Sequence, residues 1–324
     1  MTSRRELIRT AATIAAAGAV PEAIAQAKGF RPDLTRLEHR VNDPKAPAVF
    51  FASGVTAASV MKAYRALGWK PEGKVAVKTS FEEPNGPYVD PELLRPLMRE
   101  LKGTFVDTNG FSAPRNRTDT HLKLAADHGF SKVAPVDILD ADGSLDLPVP
   151  NGYRLKIHRV GSHFANYASF VSVIRYKMHN LPMLGGSLKN LAITLASISG
   201  KCNIHSAGKN LSSWEGTDNV TTVESISDAV KAALAARPGR WCFIAVMSSF
   251  KPVDHCHGAV DTGDIGVLAS LDPVALDQAC TDITMQSALT AADRRAWAEE
   301  HALVILEKAE KNGVGRTRYR LVGL

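Results

Sequence analysis

The sequence predicts an α/β fold with a largely parallel central sheet flanked by helices. Short strand-like runs alternate with helix-like stretches along the chain, and glycine or proline marks many of the junctions. Trp241-Cys242-Phe243-Ile244-Ala245-Val246-Met247 is an apolar run that reads as a buried strand. The chain has 324 residues, 45% hydrophobic and 22% charged, which is ordinary globular composition and excludes a disordered or collagen-like protein.

The elements are expected in the following order. Ala48 to Ala52 reads as a strand, and Thr56 to Leu67 as a helix ended by Gly68. Lys74 to Lys78 is a strand. Asp90 caps a helix that has Pro91 at its first position and runs to Leu101. Thr104 to Asp107 is a strand, and Thr118 to His128 a helix stopped by Gly129. Tyr153 to Val160 and Ser169 to Ile174 read as strands, Leu188 to Ile198 and Glu224 to Ala236 as helices. Trp241 to Met247 and Ile265 to Ser270 are strands, followed by helices from Pro273 to Ser287 and from Ala291 to Lys311. Asp137 to Pro150 is polar and irregular, and reads as an excursion or lid. Ligands in open parallel sheets sit beyond the strand C-termini. The loops after Val77, Val106, Ile174, Met247 and Leu268 are therefore expected to share one edge. Residues 28–324 are read as a single α/β domain.

The N-terminus reads as a targeting segment. Arg4-Arg5 precedes an Ala-rich apolar run from Thr10 to Val20, and Ala23-Ile24-Ala25 offers a small-x-small cleavage pattern. Residues 1–27 are read as a twin-arginine signal rather than an Ala-rich first helix. This implies the twin-arginine export machinery as a partner and a periplasmic location. No later run reaches the ~18 apolar residues of a membrane helix, so stable membrane insertion is not expected. The net charge is +6, part of it in Arg4, Arg5 and Arg9, and aromatic residues are only 6%, so no nucleic acid partner is expected.

Three stretches carry candidate chemistry. The densest runs from Arg175 to Ser206. Gly185-Gly186 feeds a helix N-terminus, where free N–H groups and a partial positive charge favour anions. With Lys177, Lys189, Asn190 and Lys201 it forms a candidate site for an anionic small molecule. The second is Asp254-His255-Cys256-His257. Cys256 with His179 or His205 is a candidate metal set, and Cys256 with His257 a candidate nucleophile pair. The third is Asp107-Thr108-Asn109 at a strand end, followed by Arg115 and His121. Asn109 and Arg115 are candidate ligand contacts, and Lys78 at the end of its strand is a candidate inward-facing catalytic cation. The four cysteines, Cys202, Cys242, Cys256 and Cys280, form no C-x-x-C pair, so no ferredoxin-type cluster motif is present. Cys242 and Cys280 read as core residues.

These stretches occur in the order found in the domain of unknown function 362 family, which the chain resembles over about residues 48–324. The matching motifs are Val75-Ala76-Val77-Lys78, Asp107-Thr108-Asn109, Gly185-Gly186-Ser187-Leu188-Lys189-Asn190, Gly200-Lys201 with His205-Ser206, and Asp264-Ile265-Gly266 through Asp272-Pro273-Val274-Ala275-Leu276-Asp277. The resemblance implies an iron–sulfur-related protein with a redox role. Members often carry a two-cluster ferredoxin module after the Lys-x-x-x-His-Ser stretch. Here Ser206 runs on to Glu224 without such cysteines, so 4Fe-4S clusters of that type are not expected. Members also often show Cys-x-Cys before the Asp-Ile-Gly strand and a histidine after the Val-Lys strand. Here Asp254 and Ser80 stand at two of those positions, which exchanges softer ligands for weaker or harder ones.

The leading expectation is an exported enzyme with an anion site, and a metal ion as candidate cofactor, at the sheet edge. The rival is a non-catalytic periplasmic anion- or cofactor-binding protein. Export is tested directly. N-terminal sequencing of the secreted protein should begin near Gln26, and replacing both Arg4 and Arg5 by lysine should hold the precursor in the cytoplasm. Normal export of the double variant would remove the twin-arginine assignment.

Overall fold

The computed structural model describes residues 30–177, 184–248, 263–286 and 303–324. The first half of the described chain alternates strand and helix. β1 (Ala48–Ser53), α1 (Ala57–Ala66), β2 (Val75–Lys78), α2 (Pro91–Leu101), β3 (Thr104–Asp107) and α3 (Thr118–Asp127) lead through a short α4 (Phe130–Val133) to β4 (Val136–Ile138). The starts are set by local chemistry: the Thr56 hydroxyl accepts from Ser59 N and the Asp90 carboxylate from Glu92 N, with Pro91 behind it. A hairpin of β5 (Ser144–Pro148) and β6 (Ile157–Gly161) follows, then β7 (Ser169–Arg175). After it come α5 (Ser187–Ala192), α6 (Ile198–His205), α7 (Asn219–Ala236), β8 (Trp241–Met247), β9 (Gly266–Ser270), α8 (Pro273–Met285), α9 (Leu303–Lys311) and β10 (Arg320–Gly323).

Eight strands form one sheet in the order β10-β1-β9-β8-β7-β2-β3-β4. β9 is antiparallel to both neighbours, and every other adjacent pair is parallel. The sheet is thus largely parallel, with β9 alone reversed. That reversal corrects one expectation. The loop after Leu268 leaves from the opposite edge, and it is the Ile265 end of β9 that lies with the C-termini of β2, β3, β7 and β8.

Strand pleating sorts side chains onto two faces. Cys242, Ile244 and Val246 of β8 join the α1 and α2 cluster that contains Val60, Tyr64, Leu94 and Leu97. Phe243, Ala245 and Met247 join the opposite cluster with Ile226 and Val230 of α7 and Val274 and Leu276 of α8. A sheet covered on both faces needs strands that are apolar throughout, which β8 is. Cys202, Cys242 and Cys280 are buried and free. Among the described residues no helix is long and apolar enough to cross a membrane.

Several elements differ from expectation, and the strand expected from Tyr153 starts only at Ile157. Residues 188–198 are not one helix: the chain breaks after α5 because Ala196 bridges to Val160 of β6, and Ser197 then caps α6. Residues 137–150 are not a lid. β5 pairs antiparallel with β6 and buries Leu147 in the core. The Asp228 carboxylate of α7 accepts the N–H groups of Tyr153, Arg154 and Leu155 and fastens the hairpin loop to the body. α7 begins at Asn219, five residues before Glu224, because Asp218 accepts from Thr221 N. The expected helix from Ala291 to Lys311 falls partly outside the described residues.

α6 lies so close to β6 that a Cβ on Gly200 would stand 1.9 Å from the carbonyl oxygen of Arg159. Gly→Ala inside a helix normally gains about 1 kcal/mol. Here the close approach reverses the sign: Gly200→Ala should lower unfolding free energy by about 1–3 kcal/mol in a urea titration, as overpacking does.

Candidate functional site

The C-terminal ends of β2 and β3 are joined by a buried ion pair. Pleating places Val75 and Val77 of β2 on the α1–α2 face and Ala76 on the other, so Lys78 follows Ala76 toward α5. Its ammonium is fully buried and donates to Asp107 Oδ1 at 3.0 Å, Thr194 Oγ1 at 2.9 Å, Asn190 Oδ1 at 3.2 Å and the Thr79 carbonyl at 3.2 Å. Four acceptors for three protons leave no open direction toward solvent. Lys78, expected as a catalytic cation, thus has its ammonium enclosed by protein oxygens.

Asp107 is equally enclosed. Its Oδ1 also accepts from Thr108 N at 2.9 Å, and its Oδ2 accepts from Phe81 N at 3.1 Å and Arg115 Nη2 at 3.3 Å. Burial alone would push the carboxyl pKa up, but the Lys78 and Arg115 cations hold it well below the usual range. Burial pulls the Lys78 ammonium down against the attraction of Asp107. Removing one partner of such a pair costs about 3–5 kcal/mol, because the other charge is left buried. His121 is also fully buried, with Nε2 3.5 Å from Asp107 Oδ2.

Lys201 ends in a neighbouring pocket of the same network. Its ammonium donates to Thr108 Oγ1 at 2.8 Å, to the Asn109 carbonyl at 2.7 Å and to the Ala196 carbonyl. Burial lowers its pKa to about 7. All three protons are spent on protein oxygens, so Lys201 does not join Lys177 and Lys189 at the Gly185-Gly186 turn. Asn109 sits beside it, with its own N–H on Asp140 Oδ1 and its amide nitrogen on Thr118 Oγ1. Asn109 and Arg115 thus belong to the buried network.

The Gly185-Gly186 turn has an unexpected occupant. The N–H groups of Ser187 and Leu188, at the start of α5, donate to Asp277 Oδ1 at 2.7 Å and Oδ2 at 2.9 Å. Asp277 is a fully buried residue of α8. Burial raises its pKa to about 7, opposed by those same two N–H groups. The N-terminus that was expected to hold an anionic ligand is occupied by the protein's own carboxyl. The glycines permit the approach: a Cβ on Gly186 would lie 2.5 Å from Asp277 Oδ2, and one on Gly185 would lie 2.5 Å from Lys177 Cγ.

Above this floor lies a cleft between the ends of β2 and β7. Thr79, Ser80 and Glu82 line one side and Arg175 and Lys177 the other, with Lys189, Asn190 and Thr194 of the α5 region at its base. The strand order reverses here. From β2 the chain builds outward through β3 and β4, then returns to the other side of β2 with β7 and continues to β8. Such a reversal leaves a crevice at the strand C-termini. Among the described residues its charged lining is Arg175, Lys177, Lys189 and Glu82. Glu82 takes a left-handed φ of 57° and stands 3.4 Å from Lys177 Nζ.

Of the expected ligand contacts, Lys177, Gly185, Gly186, Lys189 and Asn190 are brought together at this cleft. His205 is not among them. It is buried and stacked on Trp214 with ring centroids 3.5 Å apart, and burial lowers its pKa to about 4. His179, Cys256 and His257 lie outside the described residues, and among the described residues no three His, Cys, Asp or Glu side chains gather as for a metal ion. Sequence reasoning missed Glu82 and Thr194 as lining residues; nothing in their local sequence marks them. It missed the partnership of Asp277 with the Gly-Gly turn, although both lie in the motifs quoted above.

The buried Lys201 yields a pH test. Its folded pKa of about 7 lies below the ordinary 10.5, so between those values the unfolded chain binds the extra proton and stability rises with pH. The difference in unfolding free energy between the parent and Lys201→Met should grow from pH 7 toward 10.5. A pH-independent difference would show that Lys201 keeps its proton when folded.

Among solved structures, the chain is similar to the lactate racemase apoprotein from Thermoanaerobacterium thermosaccharolyticum, with 12% identity and a TM-score of 0.38 over 61% of this chain and 50% of that one. The chain thus spans half the length of that protein. Comparison with curated proteins gives no match. The sequence model of the domain of unknown function 362 (DUF362) matches residues 75–282. That span runs from the first residue of β2 into α8 and contains the Lys78–Asp107 pair, the Gly-Gly turn and Asp277, so this chain belongs to the DUF362 family.

Proposed function

We propose that this chain is an exported protein that binds a small anionic molecule in the cleft between β2 and β7. The observation that carries the reading is the coincidence of strand-order reversal with an excess of positive charge. The crevice where open α/β sheets take ligands is lined, among the described residues, by Arg175, Lys177 and Lys189 together with Glu82. The hydroxyls of Thr79 and Ser80 stand in the same lining and would orient a carboxylate or phosphate group. The buried pair beneath keeps this base rigid, so little ordering has to accompany binding.

A catalytic use of the same cleft is a second reading. Met247 and Gly266 pair in register at this edge of the sheet. The chain between them carries Cys256 and His257, the thiol–imidazole pair expected as nucleophile or, with His179 and His205, as metal ligands. A redox role is the form of this reading that the family resemblance implies. Cys256→Ser separates the two readings: it leaves anion binding intact under the first and abolishes turnover under the second.

The binding reading is tested by calorimetry with acetate and inorganic phosphate at low ionic strength. Lys189→Ala should weaken the bound anion by about 1–3 kcal/mol, the size of a charge-assisted hydrogen bond. Equal affinity in parent and variant would remove Lys189 from the site, and no binding of either anion would remove the reading.

A further inference from the structure

Glu82 and Lys177 line the cleft from opposite sides, and the backbone of each is fixed. Phe81 is fully buried against His121 and Phe130, with ring centroids 5.5 and 4.7 Å away, and its N–H donates to Asp107 Oδ2. The chain then turns at once. Glu82 takes its left-handed φ of 57°, and its N–H donates to Ser80 Oγ at 3.2 Å. That conformation is uncommon for a residue with a Cβ, and strain of this kind gathers at ligand sites. On the other side Lys177 bridges antiparallel to Gly185, whose missing Cβ leaves room for the Lys177 stem.

The two charges meet loosely. Lys177 Nζ stands 3.4 Å from Glu82 Oε1, with the side chains 20% and 21% exposed. A closed ammonium–carboxylate hydrogen bond spans about 2.7–2.9 Å. A ligand that carries only a carboxylate has to compete with Glu82 for Lys177. A ligand that also carries an ammonium exchanges one long pair for two, with its carboxylate on Lys177 and its ammonium on Glu82. No charge in the half-buried cleft is then left without a partner. The two ligand groups must lie close together, because Glu82 and Lys177 do, and an α-amino acid bears both on one carbon. The same lining has an apolar part in Pro87, Tyr88 and Val89. Tyr88 is stacked on His128, with centroids 4.1 Å apart and planes at 12°, so this wall is held in place.

We propose that the cleft binds the zwitterion of a small α-amino acid with an apolar side chain. Its ammonium meets Glu82, its carboxylate meets Lys177, and its side chain lies on the wall of Pro87, Tyr88 and Val89. This inference rests on the anion-binding reading above and names the class of ligand.

Calorimetric titration of the purified protein at low ionic strength with L-leucine, 4-methylpentanoate and 3-methylbutylamine tests it. The second ligand keeps the leucine skeleton without the ammonium, and the third keeps it without the carboxylate. Leucine should bind roughly tenfold tighter than either, the scale of one added charge-assisted hydrogen bond. In Glu82→Gln leucine should weaken by about the same factor, while 4-methylpentanoate should bind more tightly because its competitor is gone. Those opposite signs separate loss of an ammonium partner from general damage to the cleft, and the comparison in the parent stands even if the variant does not fold. Leucine binding no tighter than either analogue, or both carboxylates weakening together in Glu82→Gln, would overturn the zwitterion while leaving the anion cleft standing. Failure of all three ligands, and of acetate and phosphate with them, would overturn the zwitterion and the cleft together.

Discussion

The ammonium of Lys78 is the group on which the C-terminal edge of the sheet depends. It ends β2, pairs with Asp107 at the end of β3, and reaches Asn190 and Thr194 in the α5 region. Asn190 in turn donates to the Lys78 carbonyl and to Ser172 of β7. One buried charge thus ties two strands and a helix at the reversal of strand order, and Asn190 extends the tie to a third strand. A buried ion pair is a poor source of net stability against an apolar replacement, but a severe penalty falls on any arrangement that separates its members. Its contribution here is to exclude other registers at this edge.

The same logic governs the Gly-Gly turn. The orphan N–H groups at the start of α5 and the buried carboxyl of Asp277 would each be costly alone. Together they satisfy one another across α5 and α8. The Gly185-Gly186 and Asp-Pro-Val-Ala-Leu-Asp segments, separated by almost ninety positions, are two halves of one contact. Motifs of this kind read as ligand-binding in a sequence because Gly-rich helix starts favour anions wherever the anion comes from. Here it comes from the chain itself.

This divides the charges at the edge into two sets. Lys78, Asp107, Lys201 and Asp277 are spent inside the protein, each satisfied by several partners. Arg175, Lys177, Lys189 and Glu82 stand half-buried in the lining of the cleft. The first set preorganises the second. A carboxylate or phosphate entering the cleft would meet positive charge already positioned by the floor beneath, which is how a small site gains affinity without a large interface.

The sequence by itself determined several of the elements. Proline at the start of α2, the Asp90 cap and the apolar run of β8 act within a few residues, so strand and helix boundaries there are legible without a fold. It also carried the family motifs and pointed to Lys177, Lys189 and Asn190. What it could not show is which charges are consumed. Lys78, Lys189 and Lys201 are chemically alike in a string of letters. Only the pleat of β2 and the break between α5 and α6 at Ala196 decide that two of them are enclosed by protein oxygens and one lines the cleft. The parity of a strand and the pairing of a distant neighbour are long-range properties, and a side chain's role follows from them because burial and hydrogen-bond partners, not residue type, set whether a charge is free to meet a ligand.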